Sequence, residues 1–85
     1  MDIKLFYKTQ RELATALNTV VDYYWEEKIS ENDLIIKVEE LFLNNKKKVR
    51  KDNGFTTILK QQCGKRRLEI IERILSLKGH IEVVR

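Results

Sequence analysis

The fold is decided by residues 55–77, FTTILKQQCGKRRLEIIERILSL, in which apolar side chains recur at helical spacing on both sides of one glycine. Residues three and four apart share one face of a helix. Before the glycine, this face carries Phe55, Ile58, Leu59 and Cys63. After the glycine, apolar residues cover more than half of the helix circumference: Leu68, Ile70, Ile71, Ile74, Leu75 and Leu77. A helix with so wide an apolar surface is typically buried against two neighbours, or against one neighbour and a partner chain.

Gly64 divides this stretch into two parts. A glycine inside a helix costs about 1 kcal/mol relative to alanine, whereas a glycine just past a helix end is a preferred cap. The sequence therefore predicts a short helix at about 56–63, a turn at Gly64 and a longer helix at about 66–78. The alternative is one bent helix through the whole stretch.

Two helices joined by a glycine turn are also typical of helix-turn-helix readers of DNA, in which the N-terminus of the second helix meets the bases. Lys65, Arg66 and Arg67 occupy that N-terminus and would contact guanine edges or phosphates. The alternative is an ordinary helical protein with surface cations. The short first helix, and Lys60 at a position where close packing needs a small residue, favour this alternative.

Charge is divided unevenly along the chain, whose formal net charge is +4. Residues 1–45 carry five Lys/Arg and nine Asp/Glu, a net charge of −4. Residues 46–73 carry ten Lys/Arg and three Asp/Glu, a net charge of +7. This division predicts two surfaces of unlike potential, and therefore either nucleic-acid binding or head-to-tail contacts between chains.

Two further helices are predicted from their N-terminal caps. The capping-box spacing occurs twice, in Thr9 with Glu12 and in Ser30 with Asp33. The first helix is predicted at about 10–27, and the second either weakens at the asparagines 44–45 or continues to about residue 51 with a solvated basic end. Residues 52–54, Asp-Asn-Gly, predict a turn, without the alternating flanks that would indicate a hairpin.

The two chain termini carry weak strand signals at residues 2–7 and 80–85. They predict a two-stranded ribbon or, for the C-terminal tail, pairing with a second chain. The predicted fold is mainly α. It is one domain over residues 1–85, a compact bundle of three or four helices, with the small two-stranded ribbon from the termini as an optional addition.

Two segments of the chain resemble those of a family of short, functionally uncharacterised proteins of Gram-positive bacteria. They are LFYKTQRELATALN at residues 5–18 and FTTILKQQCGKRRLE at residues 55–69. The resemblance extends over most of the chain. It implies a bacterial source or a mobile element, and it carries no site residue or activity to this sequence.

The side-chain chemistry argues against several classes of protein. One cysteine, Cys63, is typical of a reducing cytosol, and no apolar run approaches the roughly 18 residues of a membrane span. The first residues lack the apolar core of a signal peptide, so we expect a cytoplasmic protein without a membrane partner. Cations near Cys63 would activate its thiol, but a buried apolar role is expected for it, and a cap or surface role for His80. With no phosphate loop or metal-ligand set, we expect no enzyme, no metal and no cofactor.

The basic residues of segment 46–73 are the candidate binding site, because the turn at 52–54 can fold its two halves together. They are Lys46, Lys47, Lys48, Arg50, Lys51, Lys60, Lys65, Arg66, Arg67 and Arg73. Such a surface would bind the phosphates of DNA or RNA without reading their sequence. Tyr23, Tyr24 and Trp25 are assigned to the core and its edge rather than to base stacking, because acidic neighbours would repel a phosphate backbone.

The alternative function is a protein-interaction module, such as a small regulator or inhibitor that acts as a homodimer. Its support is the apolar surface of residues 68–77, since a short domain often completes its core by oligomerising. The two functions predict different surroundings for the cations. Nucleic-acid binding predicts a basic surface free of acidic neighbours. The interaction module predicts an apolar exposed patch, and neutralisation by Glu26, Glu27, Glu39 or Glu40 within or between chains.

Overall fold

The chain folds into four helices and one two-stranded ribbon in a computed structural model that describes residues 4–51 and 54–81. The helices are α1 (Gln10–Trp25), α2 (Glu31–Asn44), the single turn α3 (Lys46–Val49) and α4 (Thr57–Leu77). The ribbon lies between α3 and α4 and pairs β1 (Arg50–Lys51) with β2 (Gly54–Phe55). The strands are antiparallel, with Arg50 opposite Phe55 and Lys51 opposite Gly54. The mainly helical fold predicted from the sequence is confirmed.

Both predicted N-terminal caps are present. The Glu12 amide donates to Thr9 Oγ1 at 3.1 Å, and the Asp33 amide donates to Ser30 Oγ at 3.1 Å. Each bond satisfies a backbone donor that the first turn of a helix leaves without a partner. The helix starts were therefore encoded locally, within four residues of sequence.

Gly64 breaks α4 into two helical arms, which confirms the prediction of two helices joined at this glycine. Its φ of 77° and ψ of 170° lie in a region that is open almost only to glycine. We call residues 57–63 the first arm and residues 65–77 the second arm. The carbonyl groups freed at the break find partners, since Asn18 Nδ2 donates to the Gln62 carbonyl at 3.0 Å and Arg67 Nη1 to the Cys63 carbonyl at 3.3 Å.

The second helix does not continue to residue 51, because Asn45 ends it. Asn45 is buried, and its Nδ2 donates to the carbonyls of Leu41 at 2.9 Å and Leu5 at 2.6 Å. Its Oδ1 accepts from the Tyr7 amide at 3.2 Å. This side chain therefore ties the N-terminal segment to the end of α2, and the chain restarts in the single turn α3.

The ribbon differs in place from the one predicted. It is formed by residues 50–51 and 54–55, where the sequence indicated a turn without a hairpin, and residues 4–7 form no strand. Residues 1–3, 52–53 and 82–85 lie outside the described residues, so most of the predicted C-terminal strand is not described. Thr56, the residue after β2, stabilises the hairpin, because its amide donates to the Val49 carbonyl at 3.0 Å.

The core lies between the three long helices, and α1 shares its largest contact with α4. The wide apolar surface predicted after Gly64 is used within the chain, because Ile71, Ile74 and Leu75 are all buried. Other fully buried large side chains come from every helix: Leu13, Leu17, Val20, Val21, Val38, Leu41, Val49 and Leu59. Leu77 at the end of the second arm differs, with 74% of its surface exposed.

Candidate nucleic-acid interface

The predicted basic residues fall on three adjoining elements. Lys46, Lys47 and Lys48 form most of α3, Arg50 and Lys51 form β1, Lys60 lies on the first arm, and Lys65, Arg66 and Arg67 open the second arm. Thr56 joins α3 to the start of α4, because its Oγ1 donates to the Lys48 carbonyl at 3.0 Å. The hairpin therefore links the end of α3 to the residue that precedes the first arm.

Phe55 lies at the centre of one group of these cations. The Arg50 guanidinium lies 5.2 Å from the centroid of the Phe55 ring. Phe55 also lines a groove of about 410 Å³ with Lys60 and Lys65. Glu69 and Glu72 line the same groove, so the basic surface is not free of acidic neighbours along the second arm. Residues 41–51 and 54–68 contain no Asp or Glu, which leaves α3, the ribbon strands and the first arm as the purely basic part.

Among the described residues, Arg67 forms an ion pair within the chain, whereas the lysines of the candidate surface form none. Its Nε donates to Asp22 Oδ1 at 2.9 Å and its Nη2 to Asp22 Oδ2 at 3.1 Å. A two-point pair of this kind fixes the orientation of the guanidinium. The hydrogen bond to the Asp22 carboxylate raises the pKa of Arg67. The pair clamps α1 to the second arm, so Arg67 is not presented to DNA in the manner of a helix-turn-helix reader.

Trp25, at the end of α1, is exposed over 43% of its surface and so lies at the edge of the core, one of the two positions predicted for the aromatic residues 23–25. The guanidinium carbons of Arg66 and Arg67 each lie 5.7 Å from the centroid of its ring. Sequence reasoning missed this cluster because only acidic residues flank Trp25 locally. The two arginines lie on α4, and no pattern in the sequence around Trp25 indicates that they pack beside it.

Three of the four glutamates predicted to neutralise the cations pair with other residues instead. Within residues 4–51 and 54–81, three further ion pairs join Lys28 to Glu26 at 3.0 Å, Lys37 to Glu40 at 4.0 Å and His80 to Glu39 at 2.8 Å. None of these involves a lysine of α3, β1 or α4. The neutralisation predicted for the interaction module is therefore absent from the described part of the chain, apart from the Asp22 pair.

Cys63 is a small buried residue between the two arms. It is exposed over only 2% of its surface, and burial raises the pKa of its thiol to about 11. The nearby Arg67 lowers this pKa by less than burial raises it. Its thiol is therefore protonated at neutral pH, which agrees with the buried apolar role and not with a reactive thiolate.

A separate apolar groove lies between the end of α1, the start of α2 and the second arm. It has a volume of about 230 Å³, and its apolar lining includes Ile35, Ile70 and Leu77. Ile36 and Leu43 are exposed elsewhere on α2. This groove is what remains exposed of the apolar surface that the interaction hypothesis requires.

Neither metal-ligand clusters nor membrane-spanning helices are found in the part of the chain that the structure describes. No three His, Cys, Asp or Glu residues among those described are arranged to hold a metal ion. No described helix combines the length and apolar character needed to cross a bilayer.

Comparison with known proteins adds the family of the chain. A family described as "conserved hypothetical protein" matches residues 4–76, which run from the N-terminal segment almost to the end of the second arm. The chain belongs to this family. No curated protein and no solved structure matches it. The matched range includes every residue of the basic surface and of the Trp25 cluster.

Proposed function

We propose that this protein binds nucleic acid through the phosphate backbone, using the exposed cations of α3, β1 and α4. The observation that carries the proposal is the contrast between Arg67, which is paired with Asp22, and the exposed lysines nearby. In the described part of the chain, Lys46, Lys47 and Lys51 form no ion pair. Cations without internal partners are free to displace the counterions of a polyphosphate.

The bound phosphates would follow the purely basic part of the surface. Lys46 and Lys47 project from α3, Lys51 from β1, and Lys60 from the first arm. Glu69 and Glu72 limit this surface along the second arm, since carboxylates repel phosphates. Contacts of this kind carry no sequence information by themselves, so affinity falls steeply with salt and depends little on base sequence. The proposal places the protein in the cytoplasm of a Gram-positive bacterium.

The test is binding of a fluorescent mixed-sequence duplex and of an RNA hairpin, measured by anisotropy between about 50 and 200 mM salt. The informative variant replaces Lys46, Lys47 and Lys51 with alanine. Its matched control replaces Lys4, Lys8 and Lys78, which are also exposed, and removes the same total charge. We expect the first variant to lose roughly tenfold or more in affinity, and its salt slope to fall by about 3, since each phosphate contact contributes about 0.9.

Two outcomes would contradict the proposal. Absence of binding to either nucleic acid at low salt would remove it. An equal loss of affinity in both triple variants would show that net charge, and not this surface, attracts the ligand.

A second candidate function is self-association through the apolar groove, favoured by Leu77, which is 74% exposed at its rim. A second copy would bury this leucine, because an exposed apolar patch beside a groove is typical of an interaction site. Sedimentation equilibrium of the wild type and of Leu77→Lys tests this. A wild-type dimer that the substitution dissociates supports it, and a monomeric wild type at high concentration removes it.

A further inference from the structure

Trp25 meets two requirements of a base-stacking platform, which are an exposed aromatic ring and adjacent cations. Trp25 is 43% exposed as a residue, and the Arg66 guanidinium lies 5.7 Å from the centroid of its ring. Arg67 lies at the same distance but is immobilised by Asp22. Arg66 is exposed and forms no ion pair among the described residues, so its guanidinium can turn from the ring to a phosphate.

The platform adjoins the proposed basic surface at the start of the second arm. Lys65 precedes Arg66 and lines the groove that contains Phe55 and Lys60, together with Glu69 and Glu72. Lys65 and Arg66 open the second arm and precede both carboxylates along it. A chain of phosphates that follows Lys60 and Lys65 can therefore reach Arg66 ahead of Glu69 and Glu72, and the nucleotide there has an aromatic ring beside it.

The acidic residues near Trp25 influence the position of the phosphate backbone of a bound nucleic acid and not that of its uncharged bases. Asp22 is neutralised by Arg67, and Glu26 pairs with Lys28 at 3.0 Å. Trp25 also lines a cleft of about 630 Å³ between α1 and α2, whose charged lining consists of Glu27, Glu31, Asp33 and Lys28. Phosphates are repelled from this cleft, so the backbone is confined to the Arg66 side while an uncharged base covers the indole.

We infer that Trp25 and Arg66 form a stacking site for an unpaired base, and that the preferred ligand is therefore a single-stranded nucleic acid. This inference rests on the proposed function and names its ligand class. The bases inside a duplex are already stacked on one another and present no free face to Trp25. An unpaired base has a free face, and its stacking on an aromatic side chain contributes about 1–3 kcal/mol.

Intrinsic fluorescence tests the inference on the unmodified protein, since Trp25 is its one tryptophan. The probes are a short oligothymidylate and an abasic oligodeoxyribonucleotide with the same number of phosphates. We expect the oligothymidylate to quench the emission as it binds. The abasic oligomer should bind through the same phosphates and leave the emission nearly unchanged.

Variants separate stacking from electrostatics. Trp25→Leu should weaken oligothymidylate binding about tenfold and leave duplex and abasic binding unchanged, because only a base can stack. Trp25→Phe should recover most of the affinity. Phe6→Leu is the matched control, since Phe6 is an exposed aromatic residue that does not belong to the Trp25 cluster. Circular dichroism of each variant establishes that its helices are retained.

The results distinguish failure of the inference from failure of the proposed function. If oligothymidylate and abasic oligomer bind equally, without quenching and without loss in Trp25→Leu, the stacking site is wrong and phosphate binding stands. If none of these polyanions binds at low salt, the proposed function is wrong and the stacking site with it.

Discussion

Arg67 and the lysines of α3 and β1 belong to the same basic segment, yet they have different surroundings. Arg67 is 32% exposed in its side chain and makes a two-point pair with Asp22. Lys46, Lys47 and Lys51 are exposed, and no carboxylate in the described part of the chain pairs with them. The first cation stabilises the contact between two helices, whereas the others contribute mainly to the potential outside the protein.

A run of cations in a sequence is therefore not one functional unit. A paired surface cation contributes up to about 1 kcal/mol to stability and little to an external field. Exposed cations without partners contribute little to stability and most of the attraction for an anionic ligand. Four groups of variants, in decreasing order of their effect on stability, test this contrast.

Gly64→Ala should disturb the difference between Arg67 and the lysines, because the turn at Gly64 sets the direction of all three cations at 65–67. A Cβ at this position meets no atom within 4 Å, so the cost comes from the φ of 77° and not from a clash. We expect a loss of about 2 kcal/mol in the free energy of unfolding, or about 10 °C in Tm. Thermal unfolding followed by circular dichroism measures it.

Gly54→Ala is the matched control, since it too has open space around the added Cβ but no positive φ. It should change the stability by less than about 1 kcal/mol. Equal losses in the two variants would show that the backbone conformation of Gly64 is not the cause.

Asp22→Asn removes the partner of Arg67 and so makes Arg67 resemble the lysines. We expect the free energy of unfolding to fall by about 1 kcal/mol, and nucleic-acid affinity to rise, since one more cation is released. Urea unfolding and anisotropy measure the two effects. A double-mutant cycle with Arg67→Gln should give a coupling energy that is reduced at high salt.

Glu26→Gln provides the comparison for that cycle, because Glu26 pairs with Lys28 at a more exposed site. Its substitution should leave the stability nearly unchanged. If Asp22→Asn were equally silent, the clamp between α1 and the second arm would not exist in solution.

Glu27→Gly tests an acidic residue near Trp25 instead of a cation. Glu27 follows the end of α1 with a φ of 60°, and Gly79 takes the same place after α4 with a φ of 77°. In both turns the next amide bonds back to the helix, from Lys28 to the Tyr23 carbonyl and from His80 to the Leu75 carbonyl. Glycine is the residue suited to this position, so Glu27→Gly should gain about 1 kcal/mol in chemical unfolding.

Glu27→Ala removes the same carboxylate but keeps the unfavourable φ. It should therefore show no such gain, while both substitutions raise affinity for the oligothymidylate slightly. A gain of equal size in Glu27→Ala would assign the effect to charge and not to backbone conformation.

The smallest effect concerns Cys63, which lies close to Arg67 but is not activated by it. Burial raises the pKa of the thiol from 9.0 to about 11, so the unfolded chain ionises first as the pH rises. Below pH 9 this group does not alter the stability, and between about pH 9 and 11 the free energy of unfolding falls.

Two measurements check this at alkaline pH. Comparison with Cys63→Ala, which should show a shallower decline over that window, isolates the thiol from other titrating groups. Reaction of the native thiol with a disulfide reagent at pH 8 should be about a hundredfold slower than in the urea-unfolded chain. A fast native reaction would mean that Cys63 is an exposed thiolate.

Local signals in the sequence were sufficient for the helices. The caps at Thr9 and Ser30 act within one turn, and Gly64 breaks α4 because of its own backbone freedom. Features that depend on distant partners were missed. Asn45 ends α2 through bonds that include residues 38 and 40 positions away, and Arg67 meets a carboxylate 45 positions away.

The candidate site divides in the same way. The basic composition of segment 46–73 was visible in the sequence, and the turn at 52–54 was the reason to expect one folded surface. For Trp25, base stacking was rejected because its sequence neighbours are acidic, whereas its neighbours in space include Arg66 and Arg67. Electrostatic surroundings are a property of the packed helices, and one-dimensional spacing does not determine them.

The contact between α1 and α4 also has a consequence for biosynthesis, because the two helices lie at opposite ends of the described residues. A nascent chain that ends before Leu75 carries the apolar stripe of α1, including Leu13 and Leu17, without the helix that covers it. The core can therefore close only after α4 has left the ribosome. A product truncated before α4 exposes the surface that chaperones and proteases bind.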